Sequence, residues 1–104
     1  MHSIIQNNRQ QIIQLCIQHH VKTLYAFGSV VRDDFNTESD IDFLVEYNDT
    51  ISDLAVRIEN EDDLKKKLEL LLQKEVDMIR YSLITNKYLK YFINSEKKLI
   101  YAEA

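Results

Sequence analysis

The chain contains no proline, one glycine and one cysteine among its 104 residues. Without proline, and without any stretch rich in Gly, Pro or Ser, nothing marks an interdomain linker. No internal repeat appears. A chain of this length is expected to form a single domain, residues 1–104. The lone cysteine, Cys16, excludes an internal disulfide. Its place in an apolar helical pattern assigns it to the core rather than to redox or metal chemistry. No apolar run is long enough to span a membrane, and no secretory signal is visible. A cytoplasmic protein without a membrane partner is therefore expected. Hydrophobic residues make up 45% of the chain, which excludes wholesale disorder.

Acidic residues are also missing from one region. Residues 1–32 carry three basic residues and no acid, whereas residues 33–63 carry twelve acids against Arg57 alone. Residues 64–104 return to nine basic against five acidic, and the net charge is -4. The acidic block surrounds Asp40 and Asp42. It would repel a nucleic acid backbone unless metal ions intervened, so no stable nucleic acid binding is expected. Acid-rich surface is also an ordinary route to solubility.

The apolar spacing predicts a helix over Ile4–His19 and a strand over Val21–Phe27. A Gly-Ser turn follows, then a short helix over Val30–Phe35, a polar loop, and a second strand over Asp40–Glu46. Ser52 is a candidate cap for a short helical turn. Asn60–Gln73 is the clearest helix, with acids in its first turn and Leu64, Leu68, Leu71 and Leu72 on one face. A third strand is expected over Val76–Tyr81 and a last helix over Thr85–Ile100. The fold class is α/β (α+β), with a mixed sheet of three strands or slightly more and flanking helices.

The chemistry concentrates where the single glycine stands. Gly28 lacks a side chain, so a phosphate can approach its backbone. Ser29 can donate its hydroxyl, and a helix opening behind it directs backbone N–H groups at an anion. Arg32 lies about one helical turn further on; a surface ion pair with Asp33, Asp34 or Glu38 would be its ordinary role. Asp40 and Asp42 are two apart on a strand and share a face. Asp77 sits similarly in the third strand. If the two strands are neighbours, three carboxylates converge, and like charges this close raise one another's pKa values. Divalent magnesium, a hard cation preferring oxygen ligands, is the natural compensation. A bare Asp-x-Asp is more often a solvated pair; the adjacent Gly-Ser changes the balance toward the functional reading.

The segment "GSVVRDDFNTESDIDFLV" resembles the signature of the DNA polymerase β-like nucleotidyltransferases, most closely their minimal (MNT) members. The matching residues are Gly28, Ser29, Arg32, Ser39, Asp40 and Asp42. Val76-Asp77 matches the context of the third family carboxylate, and the resemblance covers nearly the whole chain. One departure is Val31-Arg32-Asp33 where the family often has Ala-Arg-Gly, which removes a glycine and adds a negative charge. The resemblance implies that Asp40, Asp42 and Asp77 are catalytic and hold Mg2+, two ions being expected. It implies that Gly28, Ser29, Arg32 and Ser39 bind the nucleotide, and that Asp77 assists deprotonation of the acceptor. The implied reaction is attack of a hydroxyl on the α-phosphate of ATP, which releases pyrophosphate and leaves AMP on the acceptor.

Minimal proteins of this class resemble the antitoxin of a two-gene system whose other product is a HEPN ribonuclease toxin. The resemblance implies a hetero-oligomer with such a toxin, encoded by an adjacent gene, and AMP transfer to one of its hydroxyls, a tyrosine being expected. Two alternatives stand beside this. The chain could neutralise a toxin by binding alone, or could transfer a nucleotide to a small molecule or RNA. Tyr81, Tyr88, Tyr91, Phe92 and Tyr101 make the C-terminal end aromatic, which suits core packing or a protein interface.

Overall fold

The computed structural model describes residues 1–104. The chain runs α1 (Ser3–Asn7), α2 (Arg9–Gln18), β1 (Val21–Phe27), β2 (Ile41–Tyr47), α3 (Leu54–Leu72), β3 (Val76–Arg80), α4 (Lys87–Glu96) and β4 (Lys98–Ala102). Single 3-10 turns, Gly28–Val30 and Tyr81–Leu83, follow β1 and β3. The four strands form one sheet in the order β3-β2-β1-β4. β1 is antiparallel to β2 and β4, whereas β2 and β3 are parallel. Parallel neighbours cannot be joined by a tight turn, and α3 supplies the crossover between them. This is the mixed α/β sheet with flanking helices that the sequence implied, with a fourth strand added.

The sheet has two unequal faces. Leu24 and Ala26 of β1, Ile41, Phe43 and Val45 of β2 and Val76 of β3 alternate onto one face. There they bury Ile5 of α1, Ile12 and Cys16 of α2, and Leu64, Leu68 and Leu72 of α3. The α3 residues recur every fourth position, the spacing of a helical stripe. The opposite face carries a smaller cluster of Phe27, Leu44 and Ile93, with Tyr25, Ile79, Tyr81 and Ile84 packed around it. Ile93 is the one buried residue of α4. Asp42 and Asp77 lie on this thinner face, because they share the parity of Leu44 and Ile79 along their strands.

Several element boundaries differ from the sequence expectation, each for a local reason. The first helix breaks at Asn8, whose side chain donates to the Ile4 carbonyl at 2.8 Å. Such a side chain competes with the helical backbone for its partners. The helix expected over Val30–Phe35 is only the 3-10 turn. Phe35 instead packs on the main core and meets the His2 ring at a centroid distance of 4.6 Å. The third helix begins at Leu54, not near Asn60. Leu54, Val56 and Ile58 are exposed, so its first turns carry no apolar stripe to read. Asp53 rather than Ser52 caps it, accepting from the Val56 N–H at 3.1 Å. Asn60 lies inside the helix and donates to the His19 carbonyl at 2.8 Å, serving the end of α2.

The largest difference is at the C-terminus. The helix expected to reach Ile100 stops at Glu96, and residues Lys98–Ala102 form β4 on the free edge of β1. Ile100 joins the main core there. Pairing with β1 overrides a local pattern that suits either state.

The cap assignment is testable by denaturant unfolding. Asp53→Ala should cost about 1 kcal/mol of stability, the usual value of an N-cap. Ser52→Ala should change it by less than about 0.5 kcal/mol, as for an ordinary surface substitution.

Candidate functional site

β1 ends at Phe27 in extended backbone, and the chain turns at Gly28, which has φ +75. That left-handed conformation is open to glycine and strained for other residues. The Gly28 carbonyl accepts from the Val31 and Arg32 N–H groups at 3.0 and 3.2 Å, which closes the turn. A second constraint also demands glycine. A Cβ at Gly28 would collide with the carboxylate of Asp42. The backbone of the turn therefore lies directly against this acid.

The acidic loop is held from three directions. The His2 N–H donates to the Val30 carbonyl at 2.7 Å. The Lys74 ammonium reaches the Asn36 and Thr37 carbonyls at 3.1 and 2.8 Å and lies over the Phe35 ring. Ser39 closes a turn of its own, its N–H donating to the Asn36 carbonyl and its hydroxyl accepting from the Asn36 N–H, both at 3.1 Å. Then the Ile41 N–H donates to the Glu75 carbonyl at 3.0 Å, which starts the pairing of β2 with β3. Asp40 is fixed between these two points and is exposed.

Asp42 is half-buried and stands opposite Phe27 on β1 and Asp77 on β3. The two strands are neighbours, so the condition for converging carboxylates is met. Burial is the first cause that pushes the Asp42 carboxyl up to about 6, followed by the negative charges of Asp77 and Asp40 and a hydrogen bond to Asp77. Arg32 acts in the opposite direction, as the weakest of these influences. A hydrogen bond between two carboxyls requires a proton between them. At neutral pH that proton is lost and the negative charges confront one another.

The structure thus brings Gly28, Asp42 and Asp77 together, with Asp40 close enough to repel Asp42. Ser39 acts within the turn that precedes Asp40. Arg32 faces two acids besides Asp42. Its Nη1 donates to Glu96 at 2.8 Å and its Nε to Asp34 at 3.4 Å. Hydrogen bonding to Glu96 is the first cause holding its guanidinium above the ordinary arginine value. Asp34, not Asp33 or Glu38, is its neighbour in the loop. Glu96 also accepts from the Gly28 N–H at 2.7 Å. Sequence reasoning missed Glu96: it stands 68 residues from Gly28 in a lysine-rich segment, and no spacing rule connects the two.

The donor set is entirely oxygen, and its crowded charge makes a hard divalent cation the fitting counter-ion. No group of three acidic, histidine or cysteine side chains is already closed to metal-holding distance. The carboxylates would have to draw inward on an ion.

The polymerase beta nucleotidyltransferase family model matches residues 10–104, and the chain belongs to that family. Within it the chain is similar to "Putative protein adenylyltransferase MJ0435" of Methanocaldococcus jannaschii, with 40% identity over 73% of this chain and 76% of the relative. Among solved structures it resembles a minimal nucleotidyltransferase at a TM-score of 0.76 and 25% identity, covering 94% of this chain and 95% of the other. A toxin-antitoxin structure with AMP-PNP matches at a TM-score of 0.70 and 26% identity, over 92% of this chain and 74% of the other. A tri-AMPylated Shewanella oneidensis HEPN toxin in complex with its MNT antitoxin matches at 0.62 and 26%, over 94% and 72%. The expected minimal nucleotidyltransferase fold is therefore the one this chain adopts.

The Asp42 environment predicts a pH effect. Its carboxyl binds a proton more tightly in the folded chain, at about 6, than at the ordinary value of 3.8. The contribution to stability is full below pH about 4 and is lost as pH rises through about 6. At pH 7 without divalent cations, Asp42→Asn should raise the melting temperature by a few degrees. At pH 4 the difference should disappear. Thermal melts in chelator at the two pH values check both.

Proposed function

We propose that this chain is an antitoxin nucleotidyltransferase that moves AMP from ATP to a hydroxyl, expected to be a tyrosine, of a cognate HEPN toxin and so neutralises it. The carrying observation is the seating of Asp42 against the Gly28 backbone and beside Asp77, at the start of two parallel strands. The likeness to a nucleotide-bound toxin-antitoxin pair and to a tri-AMPylated HEPN toxin with its antitoxin supports the substrate and the partner.

In this reading the glycine turn receives the triphosphate. Its single left-handed residue lets the main chain lie against Asp42, so that the phosphates and the metal-holding carboxylates would meet at one place. Ser29, next in the turn, donates to the terminal phosphates. Asp40, Asp42 and Asp77 would hold Mg2+, two ions being expected, whose charge would offset both the carboxylates and the phosphates and favour the in-line displacement. Asp77 lies on the edge strand and is exposed, so an acceptor from a second protein can reach it. There it takes the hydroxyl proton. The acceptor oxygen then forms its bond to the α-phosphorus as the bond to the β-phosphate oxygen breaks, and pyrophosphate leaves. Residues 1–104 would then form a single catalytic domain.

The test is intact mass of the partner toxin after incubation with this chain, ATP and Mg2+. An AMP-sized increment is expected with the parent and none with Asp40→Asn, Asp42→Asn. An unchanged toxin mass in a tight, neutralised complex would replace the enzyme with an antitoxin that acts by binding.

A further inference from the structure

Glu96 is the acidic side chain that accepts from the backbone of the glycine turn. One carboxylate oxygen accepts from the Gly28 N–H at 2.7 Å, and the other accepts from Arg32 Nη1 at 2.8 Å. The side chain is only 15% exposed. The N–H of buried Gly28 needs an acceptor, because an orphaned buried donor is costly. A carboxylate meets that need with a charge-assisted bond, stronger than one to a neutral oxygen. Arg32 in turn compensates the buried negative charge.

The anchor behind Glu96 is firm. It is the last residue of α4, three positions after Ile93, which is buried on the same face of the sheet. Lys97 follows, with its ammonium over the Tyr25 ring at 4.3 Å. Lys98 then pairs with Ala26 of β1, immediately before Phe27 and the turn. Swinging Glu96 away would orphan the Gly28 N–H and leave Arg32 only its longer contact to Asp34. The turn is thus clamped between two carboxylates, Asp42 against its Cα and Glu96 on its N–H.

We propose that Glu96 is a positioning residue, which fixes the Gly28–Arg32 turn for phosphate and assigns Arg32 to that clamp rather than to the nucleotide. This rests on the nucleotidyl-transfer reading of the site. It requires Glu96 to keep its bonds when nucleotide is bound.

The only glycine in the chain makes the test direct. Labelling with 15N-glycine gives one amide resonance, that of Gly28. In the parent this resonance should be shifted downfield and exchange slowly with solvent. Glu96→Ala should move it upfield and speed exchange at least about tenfold, the ratio set by losing roughly one hydrogen bond. Glu96→Gln, which keeps an acceptor oxygen, should fall between and still fold, as melting curves would show. In AMP transfer, Glu96→Ala should lower kcat about tenfold with the KM for the protein acceptor unchanged, and Glu96→Gln should restore part of it. Arg32→Ala added to Glu96→Ala should cost little more, because the two act as a unit.

An unmoved Gly28 resonance in Glu96→Ala would overturn the proposal. So would a Gly28 resonance that, with AMP-PNP and Mg2+ bound, is the same in Glu96→Ala as in the parent, because the phosphate would then have taken the place of Glu96. If the glycine signals respond as expected but the parent transfers no AMP, the clamp stands and the enzymatic reading falls.

Discussion

Gly28 has no room for a side chain, and the rest of the site is arranged around that contact. The turn must leave β1 with positive φ, and its Cα must lie against the Asp42 carboxylate. Both depend on the register of β1 with β2, in which Phe27 stands opposite Asp42. A slip of one residue would carry Asp42 to the face occupied by Ile41 and Phe43 and put a carboxylate in the main core. The apolar alternation of β2 therefore fixes the position of the acid as firmly as it fixes the core. The same logic extends to β3, where Val76 enters the main core and Asp77 is turned to the site.

Electrostatics divide the site into two unlike carboxylates. Asp42 is crowded by Asp77 and Asp40 and partly buried, and Arg32 offsets this only weakly. Its charge is an unmet demand that a divalent ion would satisfy. Glu96 is also partly enclosed, yet both its oxygens are matched by an N–H and a guanidinium. Its charge is already answered within the chain. An acid that awaits an ion and an acid that supports backbone are separated here by what faces them, not by exposure alone. Asp33 is exposed on the loop, and Arg32 meets Asp34 instead.

Most of the fold was legible because the core alternates cleanly. The positions of β1, β2 and β3 follow from branched and aromatic residues at period two, and Leu64, Leu68 and Leu72 mark the middle of α3. The start of α3 was not legible, since its first apolar residues face solvent and stabilise nothing in the chain. The break at Asn8 needed the side-chain bond to Ile4, which no residue count reveals. β4 was hidden because "EKKLIYA" fits a helix or an edge strand, and only the free edge of β1 decides between them. Within the site, Gly28, Asp42 and Asp77 could be read from local pattern and parity, but Glu96 could not. Its partner is distant in sequence and is reached only after α4 docks and the chain reverses into β4.

That dependence makes α4 more than a cover for the thinner face. The helix buries a single residue, Ile93, while Tyr88, Tyr91 and Phe92 remain exposed. One apolar anchor is a weak hold for ten residues, so the charge-assisted bonds of Glu96 contribute to docking the helix as well as to setting the turn. The two roles cannot be separated by truncating the side chain alone, since a loosened helix and a displaced turn would both lower activity. They differ in what an uncharged acceptor can restore. An amide oxygen at position 96 can still receive the Gly28 N–H, but it cannot answer the charge of Arg32. The geometry of the turn and the electrostatic balance of the clamp are thus two properties of one side chain, distinguishable by its chemistry rather than by its removal.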